Sequence, residues 1–133
     1  MTDHAAGLLD TSVVIDHDLL DPARLPASTA IAAVTLAELA AGPHATTDPE
    51  ERGRRQDRLQ WAAATWEPLP FDAECARAYG RLFAVLRSGG QSPRARVADL
   101  MIAATALAHG LPVYTRNPQD LRAVGSLVEV VAV

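Results

Sequence analysis

The sequence has no lysine, one cysteine and few aromatic residues, and each of these scarcities is informative. The single cysteine, Cys75, cannot form an intramolecular disulfide, which excludes a disulfide-stapled secreted fold. We expect Cys75 to be a small buried apolar group within a helix. Aromatic residues make up 5% of the chain and hydrophobic residues 49%, so the core is predicted to be aliphatic and rich in alanine.

Long hydrophobic segments are also absent. The sequence contains no run of about 18 uncharged apolar residues, and its N-terminus lacks a basic leader followed by an apolar segment. It therefore indicates neither a membrane span nor a secretory signal, and we expect a cytoplasmic protein without a membrane partner. The 133 residues suit one domain, 1–133, since no repeat, linker or low-complexity tract occurs.

The charge balance is acidic, with a net charge of −4, although all twelve basic residues are arginine. An acidic balance argues against general affinity for nucleic acids. A local arginine patch could still bind phosphate, because guanidinium groups match phosphate oxygens well. Spacing of Glu51 and Arg55 favours an i,i+4 ion pair. The same helical pattern carries a cluster of four arginines, Arg52, Arg54, Arg55 and Arg58. Two interpretations of this cluster stay open: a solvated helix face or a contact with RNA.

Alternating apolar runs and helical patterns predict an α/β fold with a central parallel sheet. Runs typical of buried strands precede Asp10 and occupy 31–34, 112–115 and 127–133. Helical patterns occupy 35–41, 48–66, 72–87 and 95–109, and 16–26 is predicted to be a short helix or loop. Thr35 and Glu38 have the spacing of a capping box, which predicts that a helix begins at Thr35. Gly80 indicates close approach of another helix, within the chain or across a dimer.

Polar side chains follow the predicted strands at one edge of the sheet. Asp10 comes directly after the first strand, and Glu38 lies in the helix that leaves the second. Ligands of parallel sheets collect beyond the carboxyl ends of the strands, so both carboxylates are expected to face one crevice. Asn117 and Asp120 leave the third strand by the same edge. Each has an ordinary alternative, helix capping for Glu38 and turn formation for Asn117 and Asp120.

Asp99 lies among apolar neighbours in the fourth predicted helix. Burial of a charge is costly unless it is paired or bound to a metal ion. Two interpretations are therefore open, a structural ion pair with Arg96 or Arg116, or a metal site. The oxygen ligands at this edge suit Mg²⁺ or Mn²⁺, whereas zinc would require thiolate and imidazole pairs that the chain lacks.

Four segments together resemble the successive motifs of PIN-domain ribonucleases, in particular the VapC toxins of bacterial toxin–antitoxin pairs. The resemblance extends from about residue 8 to 121 in the family's order and spacing. The four segments are Leu9-Asp10-Thr11-Ser12, with Asp16 downstream; Thr35-Leu36-Ala37-Glu38-Leu39, with Gly42; 99–106; and 114–121.

The resemblance implies a PIN-like three-layer α/β/α fold, a homodimer and metal-dependent cleavage of RNA, whether tRNA, rRNA or mRNA. It also implies neutralisation by a VapB-like antitoxin. Asp10, Glu38 and Asp99 match the family's three acidic metal-site positions, with Mg²⁺ or Mn²⁺ as the implied cofactor. Many relatives have a fourth acid where this chain has Asn117. Either Asn117 is a neutral ligand or Asp120 contributes through water.

Two other functions stay open at this point. A non-catalytic PIN-like module that binds RNA or protein would carry similar motifs. A phosphatase similar to the haloacid dehalogenases also starts from an aspartate at a strand end. That family typically has a second acid two residues later, where this chain has Ser12, and a later lysine, which this chain lacks.

Overall fold

The computed structural model describes residues 4–133. Within that range, one four-stranded sheet is formed by β1 (Ala6–Leu9), β2 (Ser28–Ile31), β3 (Val113–Thr115) and β4 (Val130–Ala132). All neighbouring strands are parallel, in the order β2-β1-β3-β4. The same residues form six α-helices: α1 (Thr11–Ile15), α2 (Ala33–Ala41), α3 (Pro49–Thr65), α4 (Ala73–Ser88), α5 (Val97–Ala108) and α6 (Pro118–Leu121).

Two hydrophobic clusters cover the two faces of the sheet. Successive side chains of a strand point to opposite faces, so neighbouring Leu8 and Leu9 belong to different clusters. Leu8 packs with residues of α4 and α5 such as Leu82 and Ile102, whereas Leu9 packs with residues of α1 and α3 such as Ala62. This arrangement confirms the predicted three-layer α/β/α fold and its aliphatic core. No helix within residues 4–133 is long and apolar enough to span a membrane.

The first strand ends before Asp10, as predicted, although β-branched residues follow it. Val13, Val14 and Ile15 are β-branched and favour extended structure, yet they belong to α1. The Asp10 carboxylate caps this helix by accepting a hydrogen bond from the Val13 backbone N–H at 3.3 Å. Capping therefore overrides strand propensity and ends β1 immediately before Asp10. The segment 16–26 then contains two short 3₁₀ turns, which agrees with the predicted short helix or loop.

The predicted start of α2 at Thr35 is wrong. The helix begins at Ala33, two residues earlier, because the backbone N–H of Ala33 bonds to the Leu69 carbonyl at 2.8 Å and extended structure ends at Ala32. Thr35 is buried inside the first turn and makes no capping bond. Its hydroxyl lies 3.1 Å from that of Thr11. The capping-box interpretation of Glu38 is therefore wrong as well.

The remaining helices agree better with the sequence. Asp48 and Asp72, the first residues of two predicted helical patterns, cap α3 and α4. The predicted helix 95–109 begins later, at α5, because residues Pro93–Arg96 form a separate 3₁₀ turn. Cys75 is fully buried, as expected. The close approach predicted at Gly80 is absent from the described part of the chain, where a Cβ atom at this position would meet nothing within 4 Å.

Candidate functional site

The carboxyl edge of the sheet gathers the acidic residues that lie far apart in the sequence. Asp10 follows β1 directly, and Glu38 lies one turn into the helix after β2. Asn117 and Asp120 follow β3, as the edge rule predicts. Helix α5 runs back across the sheet to the start of β3, so the N-terminus of α5 lies at the carboxyl edge. Asp99 is in the first turn of α5. A negative charge is favoured at that end of a helix.

These side chains surround one small cavity of about 70 Å³. All five site residues that the sequence predicts line it, together with three hydroxyl residues and one leucine. The lining consists of Asp10, Thr11, Ser12, Glu38, Asp99, Thr115, Asn117, Asp120 and Leu121. Asp16 is not among them, and its carboxylate instead pairs with the Arg116 guanidinium at 3.0 Å.

Hydroxyl groups hold two of the carboxylates in place. The Ser12 hydroxyl donates a hydrogen bond to Asp10 Oδ1 and accepts one from the Arg116 backbone N–H at 3.1 Å. The Thr11 hydroxyl donates to Glu38 Oε1 at 2.5 Å. Asp10 is only 8% exposed, so its charge depends on such partners. The sequence alone does not predict this support, although two hydroxyl residues directly follow Asp10.

Among residues 4–133, Asp99 has no comparable partner. Its carboxylate is half-buried, and burial is the main cause that raises its pKa above the usual value. The negative charges of Asp120, Asp10 and Glu38 raise this pKa further, while the positive charge of Arg96 opposes them. The Asp99 carboxylate is thus destabilised in its charged form.

The structural ion pair that was open for Asp99 does not form among residues 4–133. Arg96 instead pairs with Asp120, with 2.9 Å between Nη1 and Oδ1, and Arg116 pairs with Asp16. Asp120 is therefore partly neutralised, whereas the side chain of Asn117 is exposed at the cavity. Both candidates for the fourth position line the cavity.

The donor set fits a hard divalent cation. Within the described residues, no three His, Cys, Asp or Glu side chains converge tightly enough to form a ready-made metal site. Four carboxylates nevertheless share one small cavity, and their mutual repulsion is evident at Asp99. A bound cation relieves such repulsion, and oxygen donors of this kind suit Mg²⁺ or Mn²⁺.

Comparison with known proteins places the chain in a family. Residues 7–127 match the PIN domain family. The chain is 41% identical over 119 residues to Ribonuclease VapC5 of Mycobacterium tuberculosis, across 87% of this chain and 86% of the relative. It is 35% identical over 113 residues to Ribonuclease VapC4 of the same organism, across 83% of this chain and 85% of the relative.

Solved structures agree with this assignment. The structure of VapBC-5, a member of the VapBC family of toxin–antitoxin systems from Mycobacterium tuberculosis, matches with a TM-score of 0.86 and 40% identity, covering 97% of this chain and 99% of the other. FitAcB from Neisseria gonorrhoeae matches with a TM-score of 0.70 and 27% identity, covering 92% and 94%. The chain belongs to the PIN-domain family, and within that family to the VapC group.

Proposed function

We propose that this protein is an endoribonuclease toxin that cleaves RNA phosphodiester bonds and is neutralised by a VapB-like antitoxin. The observation that carries the proposal is the cavity at the carboxyl edge of the sheet, where four carboxylates converge in a chain of the VapC group. A phosphatase of the haloacid-dehalogenase type is ruled out by the PIN-domain match. A non-catalytic PIN-like module remains the second candidate.

Metal dependence is part of the proposal. Asp10, Glu38 and Asp99 would hold a divalent ion, which we take to be Mg²⁺, with Mn²⁺ as a substitute. When bound, such an ion polarises a phosphoryl oxygen and lowers the pKa of a coordinated water. The support comes from the donor set and from the raised pKa of Asp99, because a bound cation would offset the burial and the like charges that raise this pKa.

The chain's own residues would position these groups. Ser12 fixes Asp10, and Thr11 fixes Glu38 Oε1, which leaves Oε2 of Glu38 free to bind the metal ion or a water coordinated to it. Asn117 would supply a neutral oxygen or Asp120 a charged one at the fourth position. Arg96, which already pairs with Asp120, would moderate the negative charge of the cavity.

Partner assignments follow from the relatives. The VapBC-5 structure is that of a toxin–antitoxin family member, which supports a VapB-like antitoxin for this chain. RNA is the substrate class that a ribonuclease requires. A homodimer remains a prediction from the family resemblance.

RNA cleavage by the purified protein tests the proposal. The protein should cut total cellular RNA at discrete positions in the presence of Mg²⁺, and sequencing of the new 5′ ends should identify the sites. Addition of the antitoxin encoded beside its gene should stop the cleavage. Tight RNA binding without any new 5′ ends would favour the non-catalytic module instead.

The Thr11→Val variant should lower the rate constant of cleavage about tenfold, because a lost hydrogen bond to a charged group costs about 1.5 kcal/mol of positioning. The fold should survive, since valine keeps the shape of threonine. Thr65→Val is the matched control, because within residues 4–133 the Thr65 hydroxyl bonds the Trp61 carbonyl on α3 and no carboxylate. Equal single-turnover rates for Thr11→Val and the parent protein would show that Glu38 needs no such support.

A further inference from the structure

Three of the four arginines in the cluster on α3 have hydrogen-bond or ion-pair partners within residues 4–133, and the fourth, Arg58, has none. Arg52 donates to the backbone carbonyls of Pro43 and Thr46, at 3.1 and 2.9 Å. Arg54 and Arg55 both pair with Glu51, at 2.8 Å each. Three of the four arginines are therefore engaged in holding the helix and its neighbouring turn together.

Arg58 has no such partner. Among residues 4–133, no carboxylate lies within 4.0 Å of its guanidinium, and it makes no hydrogen bond there. The side chain is nevertheless half-buried. An arginine is always charged, so a guanidinium with no carboxylate within reach is available to bind an anion.

Three neighbouring cavities share lining residues, and we call this surface the groove; Arg58 lines two of the three. The carboxylate cavity shares Thr11 and Glu38 with a second cavity of about 350 Å³. That second cavity shares Ile15 and Arg58 with a third one of about 340 Å³. Arg58 thus lies between the candidate catalytic site and the outer end of the groove.

An aromatic platform closes the outer end. Trp61 lines the third cavity and is 37% exposed. Its ring is held by Trp66, edge to face at 5.1 Å, and by the His17 ring at 5.1 Å. Trp66 is itself fixed, because its indole N–H donates to the Thr29 hydroxyl at 3.0 Å. A rigid and partly exposed indole is suited to stacking on a nucleic-acid base.

We propose that this groove binds a single-stranded segment of the RNA that flanks the scissile phosphate, with Arg58 contacting a phosphate and Trp61 stacking on a base. The inference rests on the proposed ribonuclease function. A phosphate supplies the anion that Arg58 lacks, and a base supplies a partner for the exposed indole. Asp18 and Asp57 also line the outer cavity, so binding there depends on Arg58 and not on a broad positive surface.

The test uses an RNA that spans a cleavage site mapped for the wild-type protein, labelled with fluorescein. Binding is measured by fluorescence anisotropy over a range of salt concentrations. All variants are made in the Asp99→Asn protein, so that the RNA is not cleaved appreciably during the measurement. Arg58→Gln should weaken binding about tenfold and lower the slope of log affinity against log salt by about 0.7, the value for one phosphate contact on a single strand. Trp61→Phe should weaken binding less than Trp61→Ala, because a smaller ring still stacks.

The control is Arg81→Gln, which removes the same charge from α4 on the opposite face of the sheet. It should change neither affinity nor salt slope by more than about a third of the Arg58→Gln effect. In the cleaving background, Arg58→Gln should raise KM and leave kcat within about twofold, as expected for lost substrate binding.

The possible failures are distinguishable. If the wild-type protein cleaves no RNA, the proposed function fails before the groove is considered. If it cleaves RNA but Arg58→Gln behaves like Arg81→Gln, the groove proposal is overturned and the nuclease stands. Loss of antitoxin affinity in Arg58→Gln with unchanged RNA binding would identify a protein as the occupant and overturn the proposal equally.

Discussion

The Asp99→Asn variant is expected to lose RNA cleavage by about 100-fold or more while it keeps its fold. Asparagine preserves the shape of the side chain but removes the charge that would bind a metal ion. Loss of about 3 kcal/mol of electrostatic stabilisation corresponds to about two powers of ten in rate. Single-turnover cleavage of a mapped RNA site measures the change, and circular dichroism checks the fold.

Asp21→Asn is the matched control for this variant. It removes the same charge, and asparagine can still cap the short turn that Asp21 begins by accepting from the Ala23 N–H at 2.9 Å. Its cleavage rate should stay within about twofold of the parent protein. An Asp99→Asn protein that cleaves as fast as the Asp21→Asn control would refute the assignment of Asp99 to the metal site.

Removal of divalent metal is expected to abolish cleavage and to lower the stability of the folded protein at neutral pH, because the Asp99 charge is then not compensated. Cleavage should stop in EDTA and return on addition of Mg²⁺ or Mn²⁺, because the carboxylate cavity then regains its cation.

Without metal, the wild-type protein should be less stable at neutral pH than Asp99→Asn. The repulsion that raises the pKa of Asp99 is then not compensated.

The pH dependence has a definite sign. The folded-state pKa of Asp99 is raised above its usual value, so the folded protein binds this proton more tightly than the unfolded chain. The wild-type protein should therefore gain stability relative to Asp99→Asn as the pH falls through that raised pKa, and the gain should be complete below the usual pKa. Urea unfolding of both metal-free proteins across the acidic range measures the difference. Identical pH profiles would contradict a raised pKa at Asp99.

Bound metal should reduce or reverse this difference. A ligand that binds only the folded state stabilises it by mass action, and the wild-type protein should bind the ion more tightly than Asp99→Asn. Saturating Mg²⁺ should thus raise the unfolding midpoint of the wild-type protein more than that of the variant. Equal shifts in both proteins would place the metal elsewhere.

The site could be predicted from the sequence to the extent that it depends on where strands end. In a parallel sheet, residues that follow the strands meet at one edge, so Asp10, Asn117 and Asp120 could be brought together without coordinates. Glu38 also lies at this edge, as the edge rule predicts, although the helix that carries it begins two residues before the predicted start. Element boundaries matter less for the site than the order and direction of the strands.

Pairing between side chains could not be predicted in the same way. Arg96 pairs with Asp120 and Arg116 with Asp16, and these pairs join residues 24 and 100 positions apart. No local spacing indicates such contacts. By contrast, the Glu51–Arg55 pair lies within one helix and follows from its i,i+4 spacing. The absence of a partner for Arg58 within the described residues, on which the groove depends, likewise becomes visible only in three dimensions.

The central claim is that the four-carboxylate cavity holds the metal ion with which this protein cleaves RNA. Its most direct test is the single-turnover cleavage rate of a mapped RNA site as a function of Mg²⁺ concentration, for the wild-type protein and Asp99→Asn. The wild-type rate should rise from near zero to a plateau, and the variant should stay about 100-fold lower throughout. Superimposable curves for the two proteins, or a wild-type rate that does not depend on metal, would contradict the claim.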